Sequence, residues 1–301
     1  MRNRFRTTTI ASMIAVAALG LAACGSGSSD ADSTSGAGGD SKDLTIGYIP
    51  WDEDIAVTHL WKQVLTDKGY NVTIKQLDVA PTFAGLAKGD IDLFLDGWLP
   101  STHADYMDKY GKDIEDIGVW YDNAKLTLAV PEYSDAKSIA DLKGKAGEYN
   151  GQIIGIEPGA GLTRITEKDA MPKYGLDGDY RLVTSSTSAM LAELKKATDA
   201  KEPIVVTLWR PHWAYDAFPI RDLEDPEGAM GEAEQIHSLA KKGFANEFPE
   251  VNDMLKNWTM DDTQLGSLEN LVLRENEKAP EKGVEAWLKD NPDFTDSLTK
   301  K

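Results

Sequence analysis

The chain has 301 residues and carries 50 acidic against 32 Lys and Arg residues, a formal net charge of −18. No basic stripe is available to neutralise phosphates, so nucleic acid is excluded as a partner. A single cysteine excludes a disulfide framework.

The first segment reads as targeting sequence. Arg2, Arg4 and Arg6 form a basic n-region, and residues 10–19 are apolar but too short to span a bilayer as a mature helix. Leu21-Ala22-Ala23-Cys24 follows and resembles a bacterial lipobox. That resemblance implies cleavage of a signal peptide (residues 1–23) and lipid attachment at Cys24. The exported chain would be anchored to the outer face of the cytoplasmic membrane without spanning it. Cleavage removes three arginines and no acid, taking the net charge from −18 to −21. Residues 24–43 are mostly Gly, Ser and Asp and read as a flexible tether.

From residue 44 strands and helices alternate. Residues 44–49 predict a strand, 55–65 a helix ended by Gly69, and 72–77 a second strand. A helix over 83–87 closes at Gly89, and 91–95 predict a third strand. This βαβαβ order predicts a parallel sheet with right-handed crossovers. Residues 124–130 form a further strand stopped by Pro131, and Trp120 falls in the loop before it. A short helix near 139–142 follows.

The pattern then repeats: strand 152–156, helix 162–174, strand 180–184, helix 189–197, strand 204–208. Residues 235–240 can form one more strand. Helices over 251–258, 261–273 and 283–288 complete the chain. The expected organisation is a first lobe over 44–128, a second over 129–236, and a return segment with helices over 237–301 packing on the first lobe. Strands 124–130 and 235–240 would then be the two passages between lobes, which makes a hinge.

Each βαβαβ unit ends in a Trp-x-Pro segment with a histidine close behind: Trp98-Leu99-Pro100-Ser101-Thr102-His103 and Trp209-Arg210-Pro211-His212. Trp51 follows the first strand. Ligands bind beyond the carboxyl ends of strands in open α/β sheets. Three indoles converging there would suit a cation with no N–H to donate, such as a quaternary ammonium.

The other aromatic and titratable residues have plainer readings. Trp61, Trp258 and Trp287 lie in helical apolar patterns and read as core, and Trp120 and Trp213 as packing. His212 reads as structural, and His59 and His237 as surface or interlobe residues. Asp52, Glu53 and Asp54 read as first-turn acids facing a helix dipole. The four histidines lack metal-ligand spacing, so neither a metal nor another cofactor is expected. No Gly-x-Ser-x-Gly elbow or P-loop is present, and no catalytic residues are assigned. A Trp-lined cleft would also suit a carbohydrate-active enzyme, whose paired carboxylates a sequence does not reveal.

Several segments resemble the glycine betaine/proline betaine-binding proteins of ABC importers. They are Tyr48-Ile49-Pro50-Trp51-Asp52-Glu53-Asp54, Leu93-Phe94-Leu95-Asp96-Gly97-Trp98 with the Pro100 to His103 run after it, and Gly155-Ile156-Glu157-Pro158-Gly159-Ala160-Gly161-Leu162. Leu208-Trp209-Arg210-Pro211-His212-Trp213 and Ile236-His237-Ser238-Leu239-Ala240-Lys241-Lys242-Gly243-Phe244 complete the set.

The resemblance covers nearly the whole mature chain, in unpermuted lobe order. It implies a two-lobed, type II periplasmic-binding-protein-like α/β fold. It implies a cage of Trp51, Trp98 and Trp209 around the ammonium, with the ligand carboxylate held by the N–H groups of Gly161 and Leu162 and by His103. It also implies delivery of the ligand to an ABC permease and ATPase complex. Arg210 departs from the family pattern. Choline or carnitine is the nearest alternative ligand.

Overall fold

The computed structural model describes residues 42–299. Cys24 and the signal segment lie outside these residues, as does all but the end of the tether. Among the described residues no helix is long and apolar enough to cross a membrane.

Strand β1 (Asp43–Tyr48) enters the core with Leu44 and Ile46 buried. It leads through Trp51 into α1 (Asp52–Asp67). Ala56, Val57, Leu60, Trp61, Val64 and Leu65 form one buried stripe of that helix at helical spacing. Strand β2 (Asn71–Gln76), α2 (Val79–Lys88) and β3 (Leu93–Leu99) follow. Helix α2 stops at Gly89, whose φ of 79° is the left-handed conformation that favours glycine. Helix α3 (Ala104–Tyr110) then leads to β4 (Ile114–Pro131).

Strand β4 begins ten residues before the strand expected at 124, so Trp120 lies in a strand and not in a loop. Three register shifts in its first half hide the period-two pattern, and Glu115, Asp116, Gly118, Asp122 and Asn123 dilute its hydrophobicity. Trp120 itself is buried. It donates to Leu95 O at 2.6 Å and stacks on Trp258 with centroids 4.7 Å apart.

The second half contains β5 (Gln152–Ile154) and α4 (Gly161–Ile165), which continues through a π-helical turn, Thr166–Ala170, into α5 (Met171–Lys173). Then come β6 (Arg181–Val183), α6 (Thr187–Ala200), β7 (Val206–Arg210) and α7 (Ala214–Ala217). The short strand β8 (Ile220–Asp222) gave no signal in the sequence; β9 (Glu234–Lys241) matches the expected return strand. The last part is helical: α8 (Phe244–Glu247), α9 (Pro249–Asn257), α10 (Asp262–Glu269), a π-helical turn over Asn270–Glu275, α11 (Pro280–Asp290) and α12 (Phe294–Ser297). The single helix expected over 261–273 is thus α10 plus the π turn. Helices α10 and α11 pack on α1, and Trp258 wedges edge-on against Trp61.

Eight of the nine strands form one path, β2-β1-β3-β9-β4-β7-β5-β6, and β8 pairs with β4 beside it. Strand β4 joins the two halves of that path. From Ile114 to Ala124 it pairs antiparallel with β9, and from Lys125 to Ala129 with β7. One continuous strand therefore carries the chain from the first lobe, built on β2-β1-β3-β9, to the second, built on β7-β5-β6. Both βα units aim their strand ends at the space beside this crossing.

Candidate functional site

Three of the expected residues arrive from three different elements. Trp51 precedes α1 and is its N-cap residue. Trp98 lies in β3, opposite Ile236 of β9, and Trp209 lies in β7, opposite Leu126 of β4. The sequence reading ended both strands before their tryptophans. Antiparallel pairing with β9 and β4 extends the strands, so these two indoles are held by ladder hydrogen bonds and not by loops.

All three line one small cavity, with Glu53, Thr102, Leu126, Ile156, Ala160, Gly161 and Leu162. Its walls are drawn from both lobes. Trp51, Trp98 and Trp209 are each no more than 5 % exposed.

Gly161 and Leu162 are the first two residues of α4. Their N–H groups have no carbonyl partner within the helix, which leaves them free for an anion. Gly161 also sets how close the lobes come. A Cβ built on it would lie 2.1 Å from Thr102 O, so only glycine allows this approach.

Thr102 in turn is fixed by Glu234, the first residue of β9. Glu234 accepts from the N–H groups of Ser101 (2.5 Å) and Thr102 (2.9 Å), and from the Thr102 hydroxyl. Further bridges hold the cleft shut. Arg164 donates to Ser101 O at 3.1 Å and lies 3.3 Å from Asp105, and Tyr106 donates to Gly159 O at 2.9 Å.

His103 is not among the cavity-lining residues. Its ring stacks on Trp51 with centroids 5.7 Å apart and 11° between planes, and is edge-on to Phe83. Its Nδ1 accepts the Trp98 backbone N–H at 3.0 Å, which assigns the proton to Nε2. Nε2 is buried and has no hydrogen-bond partner. Burial holds the imidazole pKa down to about 3, so the ring is a neutral donor at any physiological pH.

The sequence reading missed a set of carboxylates behind the indoles. Each of the three tryptophans donates its indole N–H to a different one: Trp209 to Glu53 at 2.8 Å, Trp98 to Asp96 at 2.8 Å, and Trp51 to Glu157 at 3.3 Å. Trp213 repeats the device outside the cavity, donating to Asp52 at 2.6 Å. Asp54 accepts from Ile49 N at 2.7 Å and from the Thr58 hydroxyl.

Asp52, Glu53 and Asp54 do stand in the first turn of α1, as expected, but they do not face solvent. The helix turns these side chains inward, where all three are buried. Burial, then repulsion from Asp96, raises Glu53 well above the usual carboxylate range. Burial and neighbouring carboxylates raise Asp54 and Asp96 as well. The one signal available in the sequence was proximity, since Asp96 and Glu53 lie two residues from Trp98 and Trp51.

Arg210 points away from the cavity. Its guanidinium lies 3.6 Å from the centroid of the Tyr215 ring and pairs with Asp222 at 2.7 Å. His212 packs edge-on against Trp209, with Nε2 3.2 Å from Asp52.

Comparison with known proteins places this architecture. The chain is 39% identical over 169 residues to a glycine betaine/carnitine transport binding protein of Listeria monocytogenes. That match covers 53% of this chain and 54% of the relative, so it spans about half the relative's length. A crystal structure of a lactococcal protein, closed on glycine betaine, superposes with a TM-score of 0.80 at 32% identity, covering 86% of this chain and 99% of that one. A choline-binding protein of an ABC transporter, in complex with choline, superposes with a TM-score of 0.78 at 27% identity, covering 85% and 91%. The fold is the two-lobed type II binding-protein fold that the sequence implied. The family model for the substrate-binding domain of the ABC-type glycine betaine transport system matches residues 42–290, and the chain belongs to that family.

Proposed function

We propose that the cavity captures a betaine, glycine betaine or proline betaine, between the two lobes and presents it to an ABC permease and ATPase complex for osmoprotective uptake. The trimethylammonium head lies among Trp51, Trp98 and Trp209. The carboxylate is met by the N–H groups of Gly161 and Leu162 and by the Nε2–H of His103. One observation carries this reading: three buried indoles from three elements wall a single cavity that also receives the start of α4.

The chemistry suits such a ligand. A quaternary ammonium has no N–H to give, so carbonyls cannot hold it and π faces can. Each indole contributes roughly 0.5–2 kcal/mol, together roughly 2–6 kcal/mol. A micromolar complex requires about 8 kcal/mol. The carboxylate end supplies the difference through charge-assisted bonds at a helix N-terminus. The Nε2–H of His103 lacks a partner, and an unmade buried hydrogen bond costs about 1–3 kcal/mol. A ligand carboxylate would relieve that cost.

Choline or carnitine is the second reading, favoured by the likeness to a choline-binding protein. Choline would leave the N–H groups at α4 without an anion. A small cavity walled by three indoles favours a small metabolite over an oligosaccharide. The reading therefore assigns binding and transport, and no catalysis.

In this reading residues 44–128 with 237–301 are one closing unit and 129–236 the other, hinged on β4 and β9. Cleavage before Cys24 and lipidation there would hold the protein at the outer face of the cytoplasmic membrane. Calorimetric titration of the chain from about residue 43 with glycine betaine and choline in parallel tests the ligand. Saturable betaine binding with weaker choline binding is expected. Tighter choline binding would remove the carboxylate clamp, and no binding of either would end the reading.

A further inference from the structure

We propose that Glu53 and Asp96 are specificity-determining residues of the cage: lying behind Trp209 and Trp98, they supply the negative charge by which the cavity selects a cation over an uncharged group of the same shape. The inference deepens the reading above and rests on it, because it requires an ammonium between the indoles.

The geometry is consistent across the site. Every cage indole gives its N–H to a carboxylate. An anion bound at the N–H edge polarises the ring and makes its face more negative, which strengthens attraction for a cation on that face. Glu53 also forms part of the cavity wall. Asp96 is fully buried; one oxygen takes the Trp98 N–H, and the other has no hydrogen-bond partner. Asparagine or glutamine would accept an indole N–H equally well without a buried charge, so the hydrogen bonds alone do not account for acids here.

The groups facing Glu53 and Asp96 make the imbalance plain. Asp52 and Asp54 lie on α1, and Glu269 closes the far side from α10. Asp54 is satisfied by Ile49 and Thr58. His212 faces Asp52. Of the residues that line the cavity, none is Lys or Arg. Burial and mutual repulsion raise Glu53, Asp54 and Asp96 together. That shift favours the neutral acids in the empty protein, and a monovalent cation in the cage is the countercharge that favours their carboxylate form.

Glu53→Gln and Asp96→Asn keep an oxygen for the indole and remove the charge. Each variant is titrated with glycine betaine, with choline and with 3,3-dimethylbutanoate, the uncharged-head isostere of glycine betaine. The Tm of the empty protein is measured at pH 8. Betaine and choline affinities are expected to fall at least about tenfold, the scale of one cation–π contact. The isostere is not weakened, and the empty variant melts no lower than wild type because a neutral amide replaces a carboxyl whose charged form burial disfavours.

Unchanged cation affinity would overturn the proposal. So would a joint loss of Tm and of affinity for all three compounds, which would make the acids structural. Trp98→Ala runs alongside. If it too leaves betaine binding intact, or wild type binds neither cation, the cage reading has failed and not the role of the acids.

Discussion

Trp209 and Glu53 are separated by 156 residues, yet the indole N–H of one reaches the carboxylate of the other at 2.8 Å. They belong to different lobes, so this bond crosses the cleft. The indole that would complete the cation box is thus positioned by a residue of the opposite lobe. Trp209→Phe keeps an aromatic face but abandons Glu53. It should weaken glycine betaine by about tenfold, and Trp209→Ala by more, since the whole cation–π contact is then lost. Calorimetry on both variants decides this; equal affinities for Phe and Trp would show that the indole N–H is idle.

Gly161→Ala should block closure without unfolding the lobes. Its methyl group would sit 2.1 Å from a backbone oxygen, which a side-chain rotation cannot relieve. Small-angle scattering with saturating glycine betaine should show compaction in wild type and none in the variant. Compaction of both would mean that Thr102 and α4 separate more readily than their geometry implies.

His103→Ala should cost more affinity for glycine betaine than for choline, because only the former has a carboxylate for Nε2–H. The same variant carries a pH signature. Burial depresses the imidazole pKa from about 6.5 to about 3, so between those values the unfolded chain binds a proton that the folded protein refuses. This group's contribution is therefore complete above pH 6.5 and declines as pH falls toward 3. The Tm advantage of wild type over His103→Ala should shrink across that window. An advantage that is flat with pH would remove the buried neutral ring from the account.

Glu234→Ala should destabilise the fold itself. One carboxylate there satisfies two backbone N–H groups and a hydroxyl of the Ser101-Thr102 turn. Losing that acceptor leaves buried donors unpaired, at about 1–3 kcal/mol. Urea denaturation should show this loss, with Glu234→Gln recovering part of it. No change in midpoint would mean that water replaces the carboxylate.

Much of the fold was legible because it rests on local patterns. The stripe Leu60, Trp61, Val64, Leu65 announces α1, and Gly69 and Gly89 punctuate helix ends. What stayed hidden depended on partners remote in sequence. The first half of β4 reads as polar loop because its bulges break the alternation that marks a strand, and only β9 beside it makes it one. The π turns inside the helices starting at Gly161 and Asp262 leave no periodic trace.

The candidate site divides in the same way. The residue types Trp51, Trp98, Trp209, Gly161 and Leu162 are determined by the sequence, because each sits in a recognisable strand-end or glycine-turn segment. Only the tertiary structure decides that Glu53 and Asp96 accept the N–H groups of two of the indoles, and that His103 stacks on Trp51. An acid at a helix start has the same local sequence whether it faces water or a cage. Its role depends on which surface α1 turns inward once both lobes have folded, and that is set by packing across the whole chain.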